Sequence, residues 1–313
     1  MSPLRFLARH GRWVLPAGLA LGIGFPGLAL AMMPLITPLV AAVLFLAALR
    51  IGPAAARPGR SEVAPALLLV LLAQLGAPLL AVGLFAALGW LAHPLALGVV
   101  LALAASPVTG APGLAILSRA DPVPALRLAV LGTALLPLTA LPVFALLPVF
   151  GDPAELAVAA VRLLALVVIA GGGAFVLRAA LPRLGSPGAT VAIDGLTALV
   201  LGLVVIALMG GVGPALRDGA AGVWAVLGLV LALNFGVQLG VWLLARAAGA
   251  GPRAPALGIA LGNRNMALFL GVLPAETLLA VLLFVGLYQI PMYLTPLVMA
   301  PLYRRFALAP TAG

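Results

Sequence analysis

Ser106-Pro107-Val108-Thr109-Gly110-Ala111-Pro112-Gly113 and Gly262-Asn263-Arg264-Asn265 each interrupt an apolar run long enough to be a membrane helix. Lipid offers no partner to a free N–H or C=O, so unwound chain at membrane depth persists only where it lines protein or water. The plain reading is that Pro and Gly merely kink two packed helices. Their matched positions favour true breaks. The run before each break also carries a matching amide, Gln74-Leu75-Gly76 in the first half and Asn234-Phe235-Gly236 160 residues later.

Working outward, apolar runs fall at 14–31, 34–49, 64–88, 94–117 and 123–150. After a loop with Asp152 and Glu155, five more fall at 156–177, 191–209, 221–245, 254–274 and 277–303. At roughly 30 residues per span and connection, 313 residues hold about ten spans. The predicted fold class is an all-α polytopic membrane protein with ten transmembrane helices as two five-helix repeats, residues 1–150 and 151–313, with helices 4 and 9 broken. Five is odd, so the second repeat enters the membrane with opposite polarity. Inverted repeats with matched broken helices are the signature of a secondary transporter. Each break also bares the N-terminal amides of its second half-helix, an expected anion site at Thr109-Gly110-Ala111 and near Asn265-Met266.

Composition agrees. Hydrophobic side chains make up 65% of the chain and charged ones 8%, against about 45–50% apolar in soluble domains. A soluble enzyme is excluded, and so is a nucleic-acid partner: the net charge of +10 comes from 17 arginines scattered in short loops. Fourteen of them lie in alternate loops, from Arg5, Arg9 and Arg12 through Arg50, Arg57 and Arg60 to Arg304 and Arg305. The opposite loops hold Arg217 alone. Positive loops stay in the cytoplasm, so both termini are expected there. Ala29-Leu30-Ala31 also reads as a signal-peptide processing site, but its cleavage would leave nine spans and break the charge alternation. Arginine-only, Ala/Leu/Gly/Pro-heavy usage suggests a GC-rich coding sequence, hence a bacterial inner membrane.

The chain has no cysteine and two histidines, His10 and His93, which leaves no thiol chemistry and almost nothing for metal ligation. No catalytic residue, metal site or cofactor is predicted, and an intramembrane hydrolase lacks a nucleophile and base. Arg264 is the outstanding polar residue. A guanidinium at mid-membrane costs at least ~2.5–3.5 kcal/mol on insertion scales, is functional by default, and keeps its proton. Two roles are open to it: clamping an anionic substrate, or acting as a fixed cation that steadies the breaks. Asn263 and Asn265 either line a cavity or cap the second half-helix. Gln74, Asn234 and Gln238 suit hydrogen bonding between helices. No carboxylate falls at mid-membrane, and His93 and the four tryptophans sit at span ends.

At the two breaks the chain resembles the bile acid:sodium symporter family. Residues 107–121, ending Leu117-Ser118-Arg119-Ala120-Asp121, are similar to that family's Pro-Gly-Gly-Thr-Ala-Ser-Asn run ending Leu-Ala-Arg-Gly-Asp, with one residue deleted after the proline. Thr133 and Pro137 match its Ser-Thr-Leu-Leu-Ala-Pro; Ala260-Leu261-Gly262-Asn263-Arg264-Asn265 falls on its Glu-Val-Gly-Met-Gln-Asn. Tyr288-Gln289-Ile290 looks like its His-Asn-Ile, and Ala73-Gln74 like its Ala-Gln. The resemblance implies a panel of helices 1, 2, 6 and 7 and a core of helices 3–5 and 8–10, with helices 4 and 9 crossing at their breaks. It implies alternating access for a small organic anion, bound at Thr109, Gly110, Asn265 and Gln289; Arg264 and Asn263 join that set by position.

The departures matter equally. The family's sodium is held by oxygens, as a hard cation requires. Here its shared acid is Ala260, its Ser-Asn pair is Ala111-Pro112, a span-five hydroxyl is Ala129 and a ligand glutamine is Arg264. Of the coupling site only Gln74 and Thr133 keep side-chain oxygens, so sodium is disfavoured. The alternatives are an arsenite-type permease, whose resemblance calls for a cysteine on span four, and a non-transporting membrane receptor or scaffold. Lipid and a small organic anion are the expected partners.

Overall fold

In four helices of this protein the first residue is a proline that directly follows a polar side chain. His93, Asp121, Asp152 and Ser186 each cap a helix whose first residue is proline, accepting from the amides of Leu95, Val123, Ala154 and Ala189 at 3.2, 2.9, 2.8 and 3.3 Å. An acceptor at the cap satisfies an amide the helix cannot, and proline has no such amide to lose. His93, expected only as an interfacial residue, is therefore also a cap.

The computed structural model describes residues 3–55, 60–217 and 221–305; Arg57 and Asp218 lie outside the described residues. Helix α1 is Pro3–Gly24, and α2 is Pro26–Gly52, continuing through a 3₁₀ turn at Met33–Leu35. Helix α3 is Val63–Ala87 with a π turn at Leu72–Gly76. Then come α4 at Pro94–Ala104 and α5 at Ala111–Leu117, the two parts of the first broken run, and α6 at Pro122–Phe144. Helix α7 is Pro153–Ala180 with a π turn at Leu166–Gly172; α8 is Pro187–Arg217, and α9 is Ala221–Ala247. The second broken run gives α10 at Ala254–Gly262 and α11 at Ala267–Leu270, and α12 is Ala275–Arg305.

Seven of these helices, α2, α3, α6, α7, α8, α9 and α12, are long and apolar enough to cross a membrane. Large apolar side chains such as Leu80, Ile169, Val176 and Leu244 stand exposed along them. In water such a surface would aggregate; against acyl chains it is solvated. The protein is an all-helical, multi-pass membrane protein, and among the described residues the only strand-like pairing is an isolated bridge between the two breaks.

Three boundaries differ from the sequence reading: α6 stops at Phe144, α8 runs on to Arg217, and the first two helices divide elsewhere than expected. The first two apolar runs were expected to divide between residues 31 and 34, and the chain instead divides at Phe25, whose φ of −122° and ψ of 70° leave the helix. Pro26 is the cause, because its ring disfavours helical backbone at the preceding residue.

Helix α1 lies along α8, and α2 packs on α7 and α8. The first pair is close: a Cβ on Gly18 would stand 2.9 Å from the carbonyl oxygen of Gly202. Small residues permit such approach between membrane helices. The rest pack around the breaks, α3 on α4 and α6, and α9 on α10 and α12. The two groups meet where Met209–Gly211 of α8 touches α12 and where α6 touches α7. Phe144 anchors the buried core between them, stacked on Phe150 at 4.7 Å and edge-on to Phe269 at 5.0 Å. At the opposite end Arg50 of α2 pairs with Asp194 of α8 at 2.8 Å, both about half exposed. An exposed pair of this kind contributes little stability.

Candidate functional site

The two breaks meet. Pro107 cannot donate and disfavours helix at Ser106, so α4 ends and Ala105 turns extended at φ −65°, ψ 152°. At the end of α10, Asn263 is extended too, at φ −99°, ψ 100°. The two stretches lie antiparallel with Pro107 opposite Arg264. Val108 N donates to Asn263 O and Asn265 N to Ser106 O, both at 2.8 Å. Each break thus satisfies backbone groups that the other has freed.

The carbonyls freed at the end of α10 are met from α9 and α12. Gly262 O accepts from Asn234 Nδ2 at 2.9 Å and from the Tyr288 hydroxyl at 2.7 Å. Asn263 Nδ2 donates to Ile259 O at 2.8 Å, and its Oδ1 accepts from Asn234 at 3.2 Å and Thr295 at 3.1 Å. Gln238 Nε2 completes the network on Asn234 Oδ1 and Thr295 Oγ1, at 2.6 and 3.0 Å. Close approach makes this possible: a Cβ on Gly262 would press on the Gln238 side chain and lie 3.0 Å from Asn234 O.

A second knot surrounds the end of α4. Arg264 Nη1 donates to Ala105 O at 3.0 Å and Nη2 to Ala73 O, in the π turn of α3, at 3.3 Å. Thr133 donates to Ser106 Oγ at 3.2 Å and Thr139 to Gln74 Oε1 at 3.1 Å. Gln74 Nε2 and Arg264 Nε are buried without a partner. Arg264 is only 3% exposed, and among the described residues no carboxylate lies against it.

Beside the crossing is a cavity of about 960 Å³ between α1, α2 and α8 on one side and the two breaks, α5 and α12 on the other. Its wall is mostly apolar, with Trp13, Val43, Leu208 and Met292 prominent. Thr109, Gly110, Arg264, Asn265, Gln289 and Tyr293 interrupt it, a few polar groups in an apolar cleft as small-molecule sites commonly have. Thr109 also borders a smaller, apolar cavity of about 350 Å³ among α2, α6 and α7.

Of the expected substrate residues, Thr109, Gly110, Arg264, Asn265 and Gln289 therefore share one cavity wall. Asn263 does not: it is fully buried in the α9–α12 network, because its side chain is needed where α10 ends. Gln74 and Thr133 sit in the knot around Ser106, whereas Ala260 belongs to the buried apolar cluster that includes Ala111, Ala125 and Leu128. The expected anion-binding amides are also reduced. Those of Ala111 and Asn265 already donate, to Val108 O at 2.9 Å and to Ser106 O at 2.8 Å, and the helices that follow have seven and four residues. Their dipoles are small, so the positive charge at the cavity is that of Arg264.

Sequence reading passed over Ser106, Thr139, Tyr288 and Thr295 as hydrogen-bonding groups. A signal existed for the last pair, which stand seven residues apart on one face of α12, opposite Asn234 and Gln238 four apart on α9. Comparison of the sequence with protein-family models and with curated proteins gave no match.

Proposed function

We propose that this protein is a secondary transporter of a small organic anion, working by alternating access in the manner of the bile acid:sodium symporters it resembles. In this reading the helices make ten spans in two inverted five-helix repeats, with α4–α5 and α10–α11 as crossing spans 4 and 9. The helices α1, α2, α7 and α8 form the panel, the rest the core. The arginine distribution supports both termini in the cytoplasm, and the composition supports a bacterial inner membrane.

One observation carries the reading. Two interrupted apolar runs are paired through their breaks, and a large cavity opens at that point beside a buried guanidinium against which no carboxylate lies among the described residues. A guanidinium whose partners are neutral carbonyls keeps its formal charge, which in low dielectric raises the potential of the adjoining cavity and favours an anion there. Gln289 donates its amide to Val285 O at 3.2 Å and stands on the same wall as Asn265 and Thr109, where an anion's polar atoms would be met.

The residues at the crossing do not fit a sodium ion. Of the surviving candidate oxygens, Gln74 Oε1 already accepts from Thr139, and the Thr133 hydroxyl is turned to Ser106 Oγ, to which it donates. Ala260 offers none, and the guanidinium already donates to the nearby carbonyls of Ala73 and Ala105. Transport without sodium coupling follows.

The test is a thermal-shift screen of organic acids on the purified protein, repeated with Gly110→Trp. A Cβ on Gly110 meets no atom within 4 Å, so the indole should fill the cavity without disturbing the fold. Stabilisation by an acid in the wild type, lost in the variant at unchanged intrinsic melting temperature, is the expected result. Equal stabilisation of both would place the ligand elsewhere.

A further inference from the structure

We propose that Arg264 is a tethered cation: its guanidinium ties the carbonyl end of α4 to the π turn of α3 and takes the place of a diffusible monovalent cation at the crossing. Two carbonyl-bearing ends converge on it. Helix α4 ends at Ala104 and leaves the carbonyl of Ala105, and the π turn at Leu72–Gly76 presents the carbonyl of Ala73, whereas the end of α10 is served by Asn234 and Tyr288. A helix C-terminus carries roughly half a negative charge, and a π turn shifts the bonding register so that a carbonyl is left for another donor. Among the described residues no carboxylate shares the site, so the negative potential there is that of backbone carbonyls. A positive charge is what such a site lacks, and the guanidinium supplies it through Nη1 on Ala105 O at 3.0 Å and Nη2 on Ala73 O at 3.3 Å.

The arrangement explains why a charge costly to bury is 97% buried here, at 3% exposure. Because Arg264 lies in the bridge opposite Pro107, its side chain joins α3 to both breaks, and the three move as one body. The inference goes beyond the transport reading, since it concerns what holds the crossing together whether or not a substrate is bound.

The experiment is thermal unfolding of the full-length protein in detergent, with no substrate present. Wild type should melt at one temperature in sodium, potassium and choline chloride of equal ionic strength. Arg264→Ala should melt lower by about 5 °C or more. Millimolar guanidinium chloride should return at least half of that loss with saturation, measured against its effect on wild type, and choline, too large to enter, should return none. A variant that melts with the wild type, or a loss that guanidinium does not reverse, would overturn the proposal. If Arg264→Ala yields no folded protein, Arg264→Lys and Arg264→Met decide: the charged variant should melt well above the neutral one, and equal melting overturns the proposal. Since no substrate enters, failure here and failure of the transport reading are separate results.

Discussion

Tyr288 and Gly262 show how single side chains hold the end of an interrupted helix. The Tyr288 hydroxyl and the Asn234 amide share the carbonyl of Gly262, which would otherwise be buried without a donor. Tyr288→Phe removes one of two donors and should destabilise by about 1 kcal/mol; Asn234→Leu removes the other, takes one partner each from Gln238 and Asn263, and should cost about 2–3 kcal/mol. Denaturation in mixed micelles would check both, and equal losses would contradict this ordering. Neither residue's role was legible alone. Asn234 and Gln238 announced themselves as polar groups in an apolar run, but tyrosine is common near membrane surfaces, and nothing in Tyr288 marks the carbonyl it serves. Arg264 was legible for the opposite reason: nothing ordinary accounts for an arginine inside an apolar span.

At the level of elements, the places where helices stop were readable and what they meet was not. Pro107, Pro112 and the Asn263-Arg264-Asn265 run mark the breaks by proline sterics and side-chain competition for the backbone. The antiparallel pairing of Ser106 with Asn265 depends on packing across 159 residues of chain and leaves no local trace. The π turn at Leu72–Gly76 was equally silent, although Gln74 within it was picked out by type. Gly132 lies where these elements converge, its absent Cβ the space for the Gln74 amide and the Pro107 ring. Ala there should improve helix propensity by about 1 kcal/mol, yet overpacking should outweigh it with a net loss of about 1–2 kcal/mol. Gly113→Ala, with open space around its Cβ, is the control and should not destabilise. If the two variants melt alike, α3, α6 and the first break do not meet as described.

For the whole molecule, the apolar composition made a multi-pass helical protein legible at once, whereas the division of α1 from α2 at Phe25 needed the effect of one proline. The charge pattern adds an orientation. Reporter fusions should place the loops at Arg183 and Arg253 in the cytoplasm and those at His93 and Glu276 outside. An external signal at Arg183 would end the inverted-repeat reading. The central claim, an organic-anion carrier whose charge at the crossing is built in, meets its most direct test in flux. Proteoliposomes should take up the organic acid that best stabilises the purified protein, and equally so when external sodium is exchanged for potassium or choline. Uptake that collapses without sodium would mean that backbone carbonyls assemble an ion site despite Arg264, and would contradict the account.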